Sequence, residues 1–317
     1  MTRYQRQKKR KADAILSADW HLTEKTPVAR TDDYREAQSI KVKFIFDLSI
    51  EHDCPVLIAG DVGDKSSWPN SLLVWFLRKS GTGAFKRLVI IPGQHDLPSH
   101  NLENIDKSGM GVLAIVNEKI DVITIPGTGV RIADDIFVYG YPFGTETVEK
   151  NGDAKYKVAM IHKLVIEDKS EHEWQDEVVT SAKTLLKNYP EYQLILSGDN
   201  HKPFVVNFRG RLLVNPGSLM RSRADQVNHK PRVYLWYKDT NEVEPVYLPI
   251  DQDVLDRTHI DETNQRNDRV TAYVKHLKEN TDVTFSFEDN MEKEFRNNRI
   301  RKGVKDKIRE AMNDDMV

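Results

Sequence analysis

Along the first two thirds of the chain, short apolar runs alternate with polar clusters in a fixed order. Five runs stand out: Ala14-Ile15-Leu16, Pro55-Val56-Leu57-Ile58-Ala59, Leu88-Val89-Ile90-Ile91, Val158-Ala159-Met160-Ile161 and Gln193-Leu194-Ile195-Leu196. Each gives way at once to residues rich in Asp, His, Gly or Asn. Runs this short, with β-branched members, predict buried strands rather than helices. Between the first two, Ala37, Ile40, Phe44 and Leu48 recur at three and four residues and predict a helix over 33–51 with one apolar stripe. Between the next two, Pro69 suits a first helical turn and Gly81 a terminus, which predicts a second helix. Strand, helix, strand, helix is the order of an α/β layered core.

After about residue 120 the pattern becomes richer in strands, predicted at 121–125, 136–141, 204–208, 211–215, 232–236 and 244–248, with Arg209-Gly210 as a tight hairpin turn. One helix is predicted over 174–188. The fold class expected is α/β: two packed mixed β-sheets flanked by helices, a four-layer sandwich. From Asp251 the composition turns to long polar stretches. The organisation expected is a basic tail over 1–11, a main domain over 12–250 and a small C-terminal cap over 251–317, with helices over 270–277 and 291–312 and a strand over 283–287.

Composition narrows the classes. The 317 residues are 39% hydrophobic and 30% charged, enough for a large core and too apolar for whole-chain disorder. No run approaches the roughly 20 apolar residues of a membrane span, so no membrane partner is expected. The single cysteine, Cys54, has no partner for an internal disulfide; it reads as a buried thiol, and a cytoplasmic location is the expectation. A net charge of -2 removes the simplest argument for nucleic-acid binding and leaves local basic patches as its only basis.

The polar clusters carry the chemistry: Asp19-Trp20-His21, Gly60-Asp61-Val62-Gly63-Asp64, Gly93-Gln94-His95-Asp96, His162 and Gly198-Asp199-Asn200-His201. In layered α/β folds the loops at the carboxyl ends of strands gather at one edge, so these residues are expected to converge. Carboxylates with imidazoles, and no cysteine, suit divalent first-row ions. Seven candidate ligands exceed one tetrahedral ion and suit two ions about 3.5 to 4 Å apart that share a carboxylate, activate water and clamp a phosphoryl group. Of the remaining histidines, His52, His172, His229, His259 and His276 read as surface groups, and His100, close behind the third cluster, is left unassigned.

In that order the clusters resemble the calcineurin-like metallophosphoesterases, whose motifs run Asp-x-His, Gly-Asp-x-x-Asp, Gly-Asn-His-Asp, a lone His and Gly-His-x-His. The resemblance covers about residues 12 to 220. It implies a first ion held by Asp19, His21, Asp61 and His201, and a second held by Asp61, Gln94, His162 and Asp199. It further implies that His95 meets the phosphate and assists the leaving oxygen, with Asp96 behind it to orient it. Two positions depart from the pattern: Gln94 stands for Asn, and Asp199 for the first His of the last motif. Both keep an oxygen donor, which points to a harder second site favouring Mn2+, or Mg2+, over Zn2+. Three carboxylates against two divalent ions leave a surplus of one positive charge, suited to a phosphodiester more than to a dianionic monoester.

For the substrate, Val214 to Arg221 holds a Pro-Gly-Ser turn that resembles the SbcD-type DNA repair exonucleases and also small bacterial phosphodiesterases. Arg221 and Arg223 are candidate phosphate contacts. The stretch 293–309 carries eight basic residues against Glu294 and Asp306, and Arg3, Arg6, Lys8, Lys9, Arg10 and Lys11 lie together near the start. The reading preferred is a metal-dependent DNA nuclease of SbcD-like type, with DNA as partner, an SbcC-like coiled-coil ATPase as a further partner and a homodimer as an option. The alternatives are a phosphodiesterase or phosphatase for small molecules or proteins, and a binding module with a decayed metal site.

Overall fold

The structure is a computed structural model that describes residues 10–81, 83–146, 153–167, 179–256, 258, 269, 295 and 301–313. The chain divides into two compact units, Met1–Leu255 and Asp256–Val317. In the first unit, β1 (Ala14–Ser17), β2 (Val56–Ala59), β3 (Leu88–Ile91) and β4 (Ile120–Val122) lie parallel in one sheet. That sheet is extended antiparallel by β13 (Arg232–Tyr237) and edged by β14 (Glu242–Tyr247). A second six-stranded sheet holds β6 (Ile136–Tyr141), β7 (Tyr156–His162), β10 (Leu194–Gly198) and β12 (Arg211–Asn215) in parallel. Its antiparallel edges are β5 (Gly129–Ala133) and β11 (Phe204–Phe208). A short pair, β8 (Val165–Ile166) and β9 (Thr180–Ser181), lies apart from both sheets.

The reason for two sheets is visible within single strands. In β1, Ile15 packs toward the helices while Ala14 and Leu16 pack toward the other sheet; in β2, Val56 and Ile58 do the first and Leu57 and Ala59 the second. Strands apolar on both faces need cover on both, and the second sheet supplies the inner one through Val158, Met160, Leu194, Leu196 and Val214. On the outer faces lie α1 (Tyr34–His52), α2 (Asn70–Lys79) and α3 (Gly109–Val116) on the first sheet, and α4 (Ala182–Asn188) on the second. The result is the helix-sheet-sheet-helix sandwich. The hairpin between β11 and β12 turns at Arg209 and Gly210, both at positive φ, as the sequence predicts.

Several expectations need correction. The buried face of α1 is Gln38, Lys41, Val42, Ile45 and Ser49, whereas Ile40, in the predicted stripe, is 42% exposed. Polar side chains hold that inner face: Gln38 Oε1 accepts from Thr23 N at 2.9 Å, and Ser49 Oγ donates to the Cys54 carbonyl at 2.7 Å while accepting from Lys86 N at 3.0 Å. Of the helix predicted over 174–188, Ala182–Asn188 is helical, capped by the Ser181 hydroxyl, while Thr180 and Ser181 pair as β9; residues 168–178 lie outside the described set. His52 is buried, its Nδ1 accepting from Ala12 N at 3.1 Å. At the start of the chain, Arg10 pairs with Glu242 at 3.1 Å and stacks on Tyr237, so this part of the predicted tail is docked; Arg3, Arg6, Lys8 and Lys9 are outside the described residues.

In the second unit, α5 (Lys302–Asn313) is described, with Ile308 buried and Lys305 Nζ donating to the Phe295 carbonyl at 2.8 Å. The helix predicted over 270–277 and the strand over 283–287 lie outside the described residues. Among the described residues, no helix is long and apolar enough to cross a membrane.

Ser49 tests the polar inner face of α1. Ser49→Ala leaves the buried Cys54 carbonyl without its donor and the Lys86 N–H without its acceptor, and is expected to lower stability by about 1 to 3 kcal/mol, read as a drop in the urea midpoint at unchanged m-value.

Candidate metal centre

Parallel strands from two sheets end on the same side, and the predicted clusters sit there. Trp20 is fully buried in the first core, with its indole N–H on Ser17 Oγ at 2.6 Å, so its neighbours Asp19 and His21 turn the other way. The loops after β1 and β2 continue to pair beyond the strands: Asp19 N donates to Gly60 O at 3.1 Å, His21 N to Asp61 O at 2.9 Å and Leu22 N to Val62 O at 2.8 Å. Asp19, His21, Asp61 and Asp199 all take left-handed backbone conformations, with φ of 50°, 45°, 52° and 80°. Such residues cost of order 1 kcal/mol or more each and gather at functional sites. Two glycines allow the close approach. A Cβ on Gly93 would stand 2.2 Å from Asp61 Oδ1, and one on Gly198 would stand 2.0 Å from the Ala59 carbonyl.

The ligand atoms of Asp19, His21 and His201 lie within 4.8 Å of one another, as do those of Asp19, Asp61 and His162 and those of His21, Asp61 and His95. The ring nitrogens of His21 and His201 are 3.1 Å apart, and Asp61 Oδ2 is 3.8 Å from His21 Nε2 and 3.4 Å from His162 Nε2. His162 Nδ1–H donates to the Ala59 carbonyl at 2.7 Å, which aims Nε2 inward, the support that a ligating imidazole ordinarily has. Gln94 Nε2 donates to Asp199 Oδ1 at 2.7 Å, and Asp199 N donates to Asp19 Oδ1 at 3.0 Å. The structure thus brings all seven expected ligands into one neighbourhood.

What remains unsatisfied there describes the guest. Among the described residues, Asp19 Oδ2, Asp61 Oδ2, Gln94 Oε1 and His162 Nε2 are buried without a hydrogen-bond partner, the 3.4 Å approach of Asp61 Oδ2 to His162 Nε2 being an ion-pair contact only. Buried polar atoms are rarely left so, and four in one pocket call for an external group. Burial drives the Asp19 carboxyl up to about 8, with Asp61 adding repulsion against the pull of His162. Burial would raise Asp61 as well, but the positive charge of His162, with His21 and His95, holds it below the usual carboxylate range. His162 rises to about 10 against its burial, because Asp61 and Asp19 surround it with negative charge. Burial lowers His21 to about 3 and also lowers His201. The protein alone therefore keeps a proton where positive charge is needed, and oxygen and imidazole donors fit divalent cations in its stead.

The supporting residues differ in part from expectation. His95 is exposed at the site, but its partner is the Asp64 carbonyl, 3.0 Å from Nδ1, and not Asp96. Asp96 sits in a 3-10 turn whose geometry directs its carboxylate back onto Gly63 N at 2.9 Å, Gly93 N at 3.0 Å and Val62 N at 3.3 Å. It fastens the loops after β2 and β3 together, and burial raises it to about 7. Arg221 is buried, donating to the carbonyls of Val227 and Asp251, and lies away from the site; the turn after Ser218 needs its donors. Arg223 does line the cavity beside the site, paired with Asp225 at 3.2 Å. That cavity, about 690 Å3, is walled by Gln94, His95, Asp199 and His201 together with Lys202, Lys230 and Arg232. It also includes His229, read from the sequence as a surface group, whose Nε2 donates to the Ser218 carbonyl at 2.8 Å. Asn215 and Asn200 were not singled out either. Asn215 Nδ2 holds the carbonyls of Asn200 and Lys202 at 2.5 and 2.8 Å, and Asn200 holds that of Val165 at 2.8 Å, which fixes the loop carrying His201. An Asn closing a strand just before Pro-Gly-Ser is the sequence signal for it.

Residues 14–203 match the family model described as calcineurin-like phosphoesterase. No curated protein matches. Among solved structures, an archaeal phosphodiesterase is similar at 11% identity, covering 74% of this chain and 99% of its own, with a TM-score of 0.39. A hypothetical protein from Pyrococcus horikoshii OT3 is similar at 14% identity, covering 81% and 94%, with a TM-score of 0.41.

Protons on Asp19 and His162 must leave before cations enter. Both groups titrate above their ordinary values, so the metal-competent fraction grows as pH rises. Divalent-ion affinity is expected to climb between pH 6 and 8 with proton release, read by calorimetry in buffers of different ionisation enthalpy; uptake indifferent to pH and buffer would contradict this assignment.

Proposed function

Because this chain belongs to the calcineurin-like phosphoesterase family, we propose that it is a metal-dependent phosphodiesterase of SbcD-like type that cleaves DNA, with Mn2+ as the preferred ion. The observation that carries this reading is one shared cavity. The wall that presents Gln94, His95, Asp199 and His201 is continuous with one that presents Lys202, Arg223, Lys230 and Arg232, against the acids Asp199 and Asp225. A space of about 690 Å3 exceeds a single phosphate group, and cations along its wall suit a chain of them.

Asp19, His21, Asp61 and His201 would hold one cation, and Asp61, Gln94, His162 and Asp199 the other. When bound, such a pair polarises a phosphoryl oxygen and makes water acidic enough to act near neutral pH. The chain's own contribution starts at His95. A carbonyl only accepts, so the hydrogen between Nδ1 and Asp64 O is on the imidazole, and Nε2 is the atom left to exchange a proton with the leaving oxygen. Asp61 Oδ1 accepts from His95 N at 2.9 Å, so the same carboxylate that would join both cations also positions the loop carrying His95. Asp96, with three N–H donors, keeps that loop at its distance from β2. Under this reading the basic stretch 293–309 is the place for a second contact, to DNA or to an SbcC-like ATPase.

The test compares linear DNA, bis-p-nitrophenyl phosphate and p-nitrophenyl phosphate in Mn2+. DNA and the diester are expected to be cleaved, with His95→Ala slower by about a hundredfold or more at unchanged metal content, and Asp61→Ala losing both metal and activity. Turnover of the monoester with DNA untouched would replace the nuclease by a small-molecule phosphatase, and failure to bind metal at all would leave a binding module.

A further inference from the structure

Away from the metal centre, the inner face of α1 and the segment after the Pro-Gly-Ser turn enclose a second cluster of charge. Lys41 is 3% exposed, Arg221 4% and Arg30 8%. A buried cation loses its hydration and is ordinarily compensated by an acid or by several acceptors. Arg30 is compensated: it grips Asp32 through Nε and a terminal nitrogen at 2.7 and 2.5 Å, and its other terminal nitrogen donates to the Arg221 carbonyl at 2.7 Å. The other two are not. Lys41 Nζ has one polar contact among the described residues, the Met220 thioether at 3.5 Å, a weak acceptor. Arg221 reaches two backbone carbonyls, but its Nε is buried without a partner. Three cations thus face two carboxylates, Asp32 and Asp251, and Arg30 occupies both oxygens of Asp32. Burial, with Arg30 and Arg221 beside it, lowers the Lys41 amine to about 7 although Asp32 and Asp251 oppose the shift.

These side chains line a small cavity of about 70 Å3, completed by Ala37, Ile40, Pro249, Ile250 and Asp251. Liquid water takes about 30 Å3 per molecule, so the space is that of roughly two waters or of one compact tetrahedral ion. We propose that this pocket is a binding site for a phosphate-class oxyanion, held by Lys41 Nζ and Arg221 Nε and separate from the metal centre. An oxyanion supplies several acceptors at fixed angles, which matches a guanidinium edge and an ammonium together, whereas a spherical halide matches neither direction. This inference does not rest on the proposed nuclease activity.

The test uses the full chain with divalent ions chelated, so that the metal centre cannot take up phosphate. Calorimetric titration with inorganic phosphate is expected to give one saturable site, weakened about tenfold or more in Lys41→Met and weakened in Arg221→Lys, which keeps the charge and removes the Nε donor. Lys43→Met, which removes an exposed cation of the same helix that is already paired with Asp47, is expected to bind phosphate as the wild type does. In phosphate-free buffer Lys41→Met is expected to melt no lower than the wild type, since it removes an unpaired buried charge, and added phosphate should raise the melting temperature of the wild type only. Adenosine monophosphate in a parallel arm separates the sources: competition with phosphate assigns the pocket to the phosphate of an ester, and no competition assigns it to the free ion. Absence of saturable binding would overturn the proposal. So would binding undiminished in both pocket variants.

Discussion

A carboxylate with no exposed surface has to find positive charge, and Asp61 is where this requirement shapes the molecule. Both of its oxygens are fully buried. One is fixed by the His95 backbone N–H, and the other points to a space bordered by His21 and His162 with no hydrogen bond to settle it. The left-handed turn at Asp61, the missing Cβ at Gly93 and the extended pairing of the loops after β1 and β2 all serve to hold that oxygen in place. Two sheets are required because neither brings enough donors alone: the first gives Asp19, His21, Asp61 and Gln94, the second His162, Asp199 and His201. The core between the sheets thus sets the separation on which the site depends.

Much of this scaffold was legible in the sequence because the strands are apolar on both faces, and contiguous runs such as Leu88 to Ile91 leave few alternatives. The edges were harder. β5 carries Gly129 and Arg131 and is only half buried, so it has no apolar run to announce it. α3 was missed because Gly109 and Gly111 weaken its helical signal, although Ser108 caps it through Gly111 N at 3.1 Å. The register of α1 was misread for a different reason. Its inner face is made of Gln38, Lys41 and Ser49 as much as of Val42 and Ile45, and aliphatic periodicity cannot see a face buried through hydrogen bonds.

At the site, the residues that cluster were readable, and the residues that hold them in place were not. An Asp or His at a strand end is visible as a type in a place, whereas the Asp64 carbonyl behind His95, or the Asn215 amide under the His201 loop, becomes apparent only once the backbone is folded. Arg221 shows the converse error. Proximity to the last motif suggested a substrate contact, yet Arg221 is buried and lines a cavity with Arg30 and Lys41 instead of the one beside the metal centre.

The contact between Gln94 and Asp199 changes how the two departures from the family pattern should be counted. Each looked like an independent loss of a usual ligand, but their side chains meet at 2.7 Å across the gap between the sheets. The longer glutamine spans a distance that its shorter homologue would leave open, and the aspartate offers the acceptor that receives it. The two positions are therefore tied by one hydrogen bond, and a change at either alters the setting of the other.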